Sequence, residues 1–302
     1  MHDLQLRPAM KSTPRRASRS AELVSTYLSR LGIEQAPPSV EGLFLIHRAH
    51  VERIPYETTW IHMGEQWDID VDASMERVAA GGRGGYCFHL NGSLSRLLTL
   101  LGYDVSYHVG GVHGPEPTPA DLTNHLVLVV SGLPSPDNPH GQWYVDAGLG
   151  DALHEPLPLR AGTYRQGPMT FVLEETPGGI GDWHFVHDPL GSFPGMNFRS
   201  AATTLDAFET MHRYLSTSPE SGFVRTVTVQ HRDRGGVTAL RALTLTRRDD
   251  SGTSTTVVTD RDEWFALIED ELLLRLDGVD DAARERLWAS AVASHEARVS
   301  GD

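Results

Sequence analysis

The 302-residue chain has one cysteine, Cys87, and one lysine, Lys11. A single cysteine excludes an internal disulfide framework and suits a reducing compartment, so a cytoplasmic location is expected. Almost all positive charge is therefore arginine, and the formal balance is −14. That excess of acid excludes a general nucleic-acid binder, which needs a basic surface, yet a few arginines can still shape a local field for an anionic co-substrate. No stretch approaches the roughly 20 apolar residues of a membrane span, so no membrane partner is expected. The opening MHDLQLRPAMKSTPRRASRS is basic and small-polar without the apolar centre of an export signal, and residues 1–19 read as a disordered tail. There is no internal repeat. Metal binding is not expected either: His47-Arg-Ala-His50 has a workable spacing but no third ligand, and reads as helix surface. Gly81–Gly85 lacks the Gly-Lys-Ser/Thr of a phosphate loop.

What is present divides by periodicity. Leu23, Val24, Tyr27, Leu28 and Leu31 recur on one helical face, with Ser20 as N-cap and Gly32 as stop. Ser39 caps a second helix over Val40–Val51, and Leu90, Leu94, Leu97, Leu98 and Leu101 form the stripe of another that ends at Gly102. From Asp104 the pattern turns to short β-branched and aromatic runs between Gly/Pro loops: DVSYHV, HLVLVV, QWYVDAG, and a hairpin from TYRQGPMTFVLEET into WHFVHDP. A helix around Leu205–Leu215 follows. FVRTVTVQ and ALRALTLTRR then pair across Asp233–Gly236, STTVVT adds a strand, and helices over Glu263–Leu276 and Asp280–Arg298 finish the chain. The class is α+β.

Cys87 lies where a glycine-rich turn, Gly81-Gly82-Arg83-Gly84-Gly85, opens into the third helical stripe. A thiol at a helix start meets unpaired backbone N–H groups and the positive end of the helix dipole, which favour a thiolate. Such a nucleophile needs a base, and the base needs an orienting group. His125 begins the apolar strand His125–Val130, and Asp146 closes another apolar strand before a glycine-rich exit, Gly148-Leu149-Gly150. An Asp in an apolar strand is costly unless paired, and a histidine partner would explain it, although Asp-x-Gly also ends strands as a turn. A Cys–His–Asp set is shared by thiol proteases, transglutaminases and acyltransferases, and the residues alone leave all three open.

RGGYCF, NHLVLVV and VDAGLG together resemble the arylamine N-acetyltransferase family, whose cysteine lies in an Arg-Gly-Gly-x-Cys motif. YLSRLG at Tyr27–Gly32, RIPYET at Arg53–Thr58 and YLSTSPESGF at Tyr214–Phe223 extend the resemblance, in order, over residues 20–275. It implies a helical domain over 20–103 carrying the nucleophile, a β-barrel over 104–200 carrying His125 and Asp146, and a helical linker with an α/β lid over 201–302. The implied chemistry is ping-pong transfer of an acyl group from acetyl-CoA or a similar thioester, through Cys87, to a small-molecule arylamine. No permanently bound cofactor is implied. Tyr56, Phe88, Leu149 and Phe223 would contact substrate, Ser218 and Ser221 the acyl carrier, and Arg83 would brace the helical domain.

The chain departs from the family pattern in three places. His89 stands where a glutamate is usual, which changes the charge balance around Arg83 and admits a minor reading of His89 in proton transfer. Leu149 replaces a phenylalanine of the acceptor wall, and Thr58 replaces an asparagine. Leu149, His89 and the loop Ser131–Gln142 lean toward the family's amide synthases of natural-product biosynthesis, which take the acyl group from a carrier-protein thioester. Asn91-Gly-Ser93 is formally a glycosylation sequon, without meaning in a cytoplasmic protein.

Overall fold

The computed structural model describes residues 14–300, with side chains from residue 18 onward. The first helix, α1 (Pro14–Leu31), buries Val24, Tyr27, Leu28 and Leu31 along one stripe. It begins six residues before Ser20, which is therefore inside the helix rather than its cap; proline at a first helical position has its φ already set. Residues 14–19 of the expected tail are thus helical, and residues 1–13 lie outside the described residues. Next come α2 (Val40–Arg53), β1 (Tyr56–Glu57), α3 (Thr59–His62), α4 (Val71–Ala79) and α5 (Cys87–Leu100). The Ser39 hydroxyl caps α2 by accepting the Gly42 N–H at 2.9 Å. Leu90, Leu94, Leu97 and Leu98 of α5 are fully buried against α1, α2 and α4.

Eight strands follow: β2 (Asp104–His113), β3 (His125–Ser131), β4 (Trp143–Val145), β5 (Leu157–Pro158), β6 (Gly162–Gln166), β7 (Met169–Glu175), β8 (Trp183–Val186) and β9 (Gly195–Thr203). They pair antiparallel in the order β5-β4-β3-β2-β9-β8-β7-β6, curling into a near-closed barrel. The unbroken apolar run of β3 has a physical cause. Leu126, Leu128 and Val130 face the helices, while Val127 faces the barrel interior with Tyr144, Phe171, Phe185 and Phe198, so both faces of the strand are buried.

The last part contains α6 (Glu209–Thr217), α7 (Gly222–Arg225), β10 (Thr228–Asp233), β11 (Gly236–Arg241), β12 (Thr244–Asp249), β13 (Gly252–Val257), α8 (Arg261–Asp270) and α9 (Asp281–Ser300). Three sequence expectations change here, the first being that the helix expected over Glu263–Leu276 spans Arg261–Asp270, with Leu273 at a φ of +58° beyond its end. FVR is helical, because the Ser221 hydroxyl accepts the Phe223 N–H at 3.2 Å and starts α7. ALRALTLTRR is two strands, because Ala242 takes a φ of +52° and donates its N–H to Val227 at 2.8 Å, folding β12 back on β11. The third core gathers Val227, Val229, Leu240, Trp264, Ile268 and Leu287.

One short element ties the parts together. β1 is the edge strand of the last sheet, in the order β1-β10-β11-β12-β13. Thr58 clamps that junction: its N–H donates to the Thr228 carbonyl at 3.0 Å and its hydroxyl accepts the Thr228 N–H at 3.0 Å. Tyr56 of the helical segment thereby lines the same cavity as residues of the last sheet.

Candidate active site

Cys87 is the first residue of α5, and the turn before it is held from two directions. Gly85 has a φ of +75°, and a Cβ there would stand 2.6 Å from His89 Nδ1, so only glycine fits. The fully buried Glu57 secures the same residue: its Oε1 accepts the Gly85 N–H at 3.0 Å, and its own N–H donates to the Gly85 carbonyl at 2.9 Å. Its Oε2 accepts the Thr59 N–H at 2.7 Å. Tyr86, extended, accepts the N–H groups of His89 and Leu90, which leaves those of Cys87 and Phe88 free at the helix start.

β3 and β4 are antiparallel neighbours, which brings the start of one beside the end of the other. His125 Nε2–H donates to Asp146 Oδ2 at 2.7 Å, with both side chains buried. Asp146 also accepts the Tyr144 hydroxyl at 2.9 Å, the Asn91 amide at 2.8 Å and the Gly148 N–H at 2.9 Å. The paired acid and the Asp-x-Gly turn are therefore one residue acting twice. Burial alone would push the carboxyl up, but the facing His125 and these donors hold it below the usual range. Burial likewise disfavours a charged His125, yet Asp146, and then Cys87, raise it to about 10. With Nε2 on Asp146, the ring nitrogen that the acid leaves unengaged is Nδ1. Cys87 Sγ also lies 3.7 Å from the Asn124 carbonyl oxygen. The approach is tight: a Cβ on Gly148 would be 2.7 Å from Cys87 Cα.

Asn91 is the residue that reading the sequence missed. Its Nδ2 donates to Asp146 and, at 2.7 Å, to the Leu126 carbonyl; its Oδ1 accepts the Ala147 N–H at 2.8 Å. It therefore pins β3 and the end of β4 to α5. The signal was its position four residues after Cys87, one helical turn along the same face.

The other residues singled out in the sequence sort by where they point. Tyr56, Leu149 and Phe223 line a cavity of about 420 Å³ with Cys87 and His125. Phe88 does not. One position round the helix from Cys87, it is buried against Phe208 and Tyr86. Ser218 and Ser221 do not line the cavity either. The Ser221 hydroxyl donates to the Leu215 carbonyl at 2.8 Å while capping α7, and Ser218 receives the Glu220 N–H at 3.3 Å. Arg83 pairs with Glu65 at 2.5 Å and lies over Trp67, so a carboxylate from a different segment faces the arginine where His89 cannot. His89 turns away from Cys87 to the Asp68 carbonyl at 3.1 Å, among Trp60, Trp67 and His212. His47 and His50 are fully buried, not on a helix surface: His47 meets the His154 carbonyl and His50 the Tyr27 hydroxyl, each at 3.1 Å. The loop Ser131–Gln142 leaves β3 at the end opposite His125, about 20 Å along the strand. A larger recess of about 620 Å³, lined by Trp67, Asp206 and His212, contains none of Cys87, His125 and Asp146. Among the described residues no helix is long and apolar enough to cross a membrane.

Comparison with known proteins bears on the same region. A family model described as N-acetyltransferase matches residues 39–281. The chain is 29% identical over 250 residues to arylamine N-acetyltransferase 1 of Homo sapiens, covering 74% of this chain and 83% of that one. It superposes on the arylamine N-acetyltransferase of M. smegmatis with a TM-score of 0.77 at 26% identity, covering 88% of this chain and 97% of that one. The Mycobacterium marinum arylamine N-acetyltransferase in complex with CoA gives a TM-score of 0.76 at 24% identity, over 89% of this chain and 98% of that one.

Proposed function

This chain belongs to the arylamine N-acetyltransferase family and is an acyltransferase; we propose that it moves an acetyl or other short acyl group from coenzyme A to an arylamine-type amine through a Cys87 thioester. The observation that carries this reading is a buried histidine, held by Asp146 at 2.7 Å and raised to about 10, lining one cavity with the cysteine at the helix start. An imidazolium beside sulfur stabilises a thiolate by charge. The Cys87 thiolate attacks the donor's thioester carbon, and the N–H groups of Cys87 and Phe88 face the oxyanion. The C–S bond to coenzyme A breaks, and its sulfur leaves with the proton from His125. The amine then attacks the Cys87 thioester, His125 takes the amine's proton, and the amide departs as the thiolate is restored. The M. marinum relative's complex with CoA supports the choice of donor.

The test is intact-protein mass spectrometry with acetyl-CoA, beside Cys87→Ala. An acetyl mass on the native chain alone, discharged by an aniline, is expected. No adduct from any acyl thioester, with an inert thiol, sinks the reading. A second reading, amide synthesis from a carrier-protein thioester, draws on Leu149, an aliphatic wall where the family pattern carries a ring. Acylation by a carrier-bound donor but not by acetyl-CoA would select it.

A further inference from the structure

The last sheet turns one face toward Cys87. Directly opposed residues of an antiparallel pair share a face, as do residues two apart on a strand. Tyr56 opposes Gln230, and Thr228 opposes Arg241. These four side chains thus share one face, and all four line the cavity of about 420 Å³ that holds Cys87 and His125. Among the described residues of that lining Arg241 is the only charged side chain besides His125, and none is a carboxylate. Among the described residues Arg241 makes no ion pair: Asp151, whose field reaches it, already accepts the Ser192 N–H at 2.8 Å and has Arg248 at 3.8 Å. Gln230 is 4% exposed, and its Nε2 has no hydrogen-bond partner. An arginine with no carboxylate within ion-pair distance and a buried donor without an acceptor, among the described residues and on one wall, ask for the same ligand chemistry.

We propose that this wall recognises a carboxylate, Arg241 and Gln230 holding the anionic end of a molecule whose other end reacts at Cys87. Val112, Leu149, Phe193 and Phe223 supply the apolar surface between the two ends. The carboxylate belongs either to the acceptor, as in an aminobenzoate, or to the acyl group, as in the half-thioester of a dicarboxylic acid. The inference rests on the acyl-transfer reading of Cys87 and names its substrate class.

Two arms separate the sources. With acetyl-CoA as donor, 4-aminobenzoate is compared with the neutral 4-aminobenzamide. With one aniline as acceptor, succinyl-CoA is compared with butyryl-CoA. In one arm the native enzyme should favour the charged member by about 10- to 100-fold in kcat/KM, the size of a charge-assisted hydrogen bond. Arg241→Gln should erase that preference through KM with kcat held, and Arg241→Lys should restore part of it. Acetylation of Cys87 by acetyl-CoA, read by mass in the native protein, checks the chemistry separately. No charge preference in either arm overturns the inference while leaving acyl transfer standing. An equal loss for every coenzyme A donor also overturns it, since Arg241 would then serve the donor's phosphates. Failure of all donors to acylate Cys87 removes the parent reading and this inference with it.

Discussion

His125 and His89 are both buried close to Cys87, and they end in opposite protonation states. His125 faces a carboxylate and is raised to about 10, so it is an imidazolium at neutral pH. His89, disfavoured as a cation first by burial and then by Arg77 and His212, is held well below its ordinary value and stays neutral. Burial opposes the charge in both places. What differs is the sign of the neighbour: a carboxylate beside His125, a guanidinium and a second imidazole beside His89.

Asp146→Asn breaks this contrast most severely. The amide keeps the volume but removes the charge that holds the imidazolium, and loss of the matching acid in an analogous triad lowers turnover by about 10⁴. A fall of at least 10³ in the acetylation rate of Cys87 is expected, measured by quenched-flow mass spectrometry. A loss below tenfold would mean that His125 does not depend on Asp146.

Asn91→Ala should come next. Asn91 is fully buried and makes three hydrogen bonds to the base and acid strands. Its removal leaves the Leu126 carbonyl and the Ala147 N–H without partners in a dry site, for about 2–4 kcal/mol of stability. Chemical denaturation measures this. An unchanged midpoint would show that the strands hold their registration without the helix.

The ease of reading followed the range of the interaction. Cys87 was legible because its constraints are local: a glycine that only glycine can replace and a helix start within three residues. His125 was harder, since 15 histidines compete and only the pairing of β3 with β4 brings one to Asp146. Asn91 was passed over as a sequon because its partners lie 35 to 56 residues away. His47 and His50 looked exposed on a helix pattern, yet the barrel covers one and α1 the other. Arg241 carried no sequence signal, because its facing of Cys87 depends on β1 being the edge strand of the last sheet. Helix periods and apolar runs were read correctly where each element buries its own stripe. The division of Ala239–Arg248 into two strands was not, since it depends on one left-handed alanine.

A pH titration of stability sharpens the comparison further. His125 is raised above its unfolded value, so its contribution is fully present below about pH 6.5 and is lost as pH rises toward about 10. His89 is lowered, so its contribution is present above about pH 6.5 and is lost as pH falls. The thermal midpoint should decline on both sides of neutrality, with Asp146→Asn flattening the alkaline limb and removing the acid-limb contribution of Asp146 below about pH 4, while the His89 part near pH 6 stays. Loss of the fall near pH 6 by that one change would mean the two histidines titrate as a coupled pair.

His89→Gln carries the smallest effect on catalysis and isolates the second histidine most cleanly. The glutamine amide can donate to the Asp68 carbonyl that His89 now meets, fills a similar volume and has no proton to give up. The acid limb of the stability profile should therefore shrink in part, because one of the buried histidines protonated on unfolding is gone while His47 and His50, also lowered by burial, remain. Transfer of acetyl to an aniline should stay within about twofold of native at pH 7, since a neutral ring turned toward Trp60 and Trp67 takes no proton from Cys87. A kcat reduced tenfold or more with an unchanged fold would place His89 in the proton path after all. The difference between the two histidines would then be one of degree.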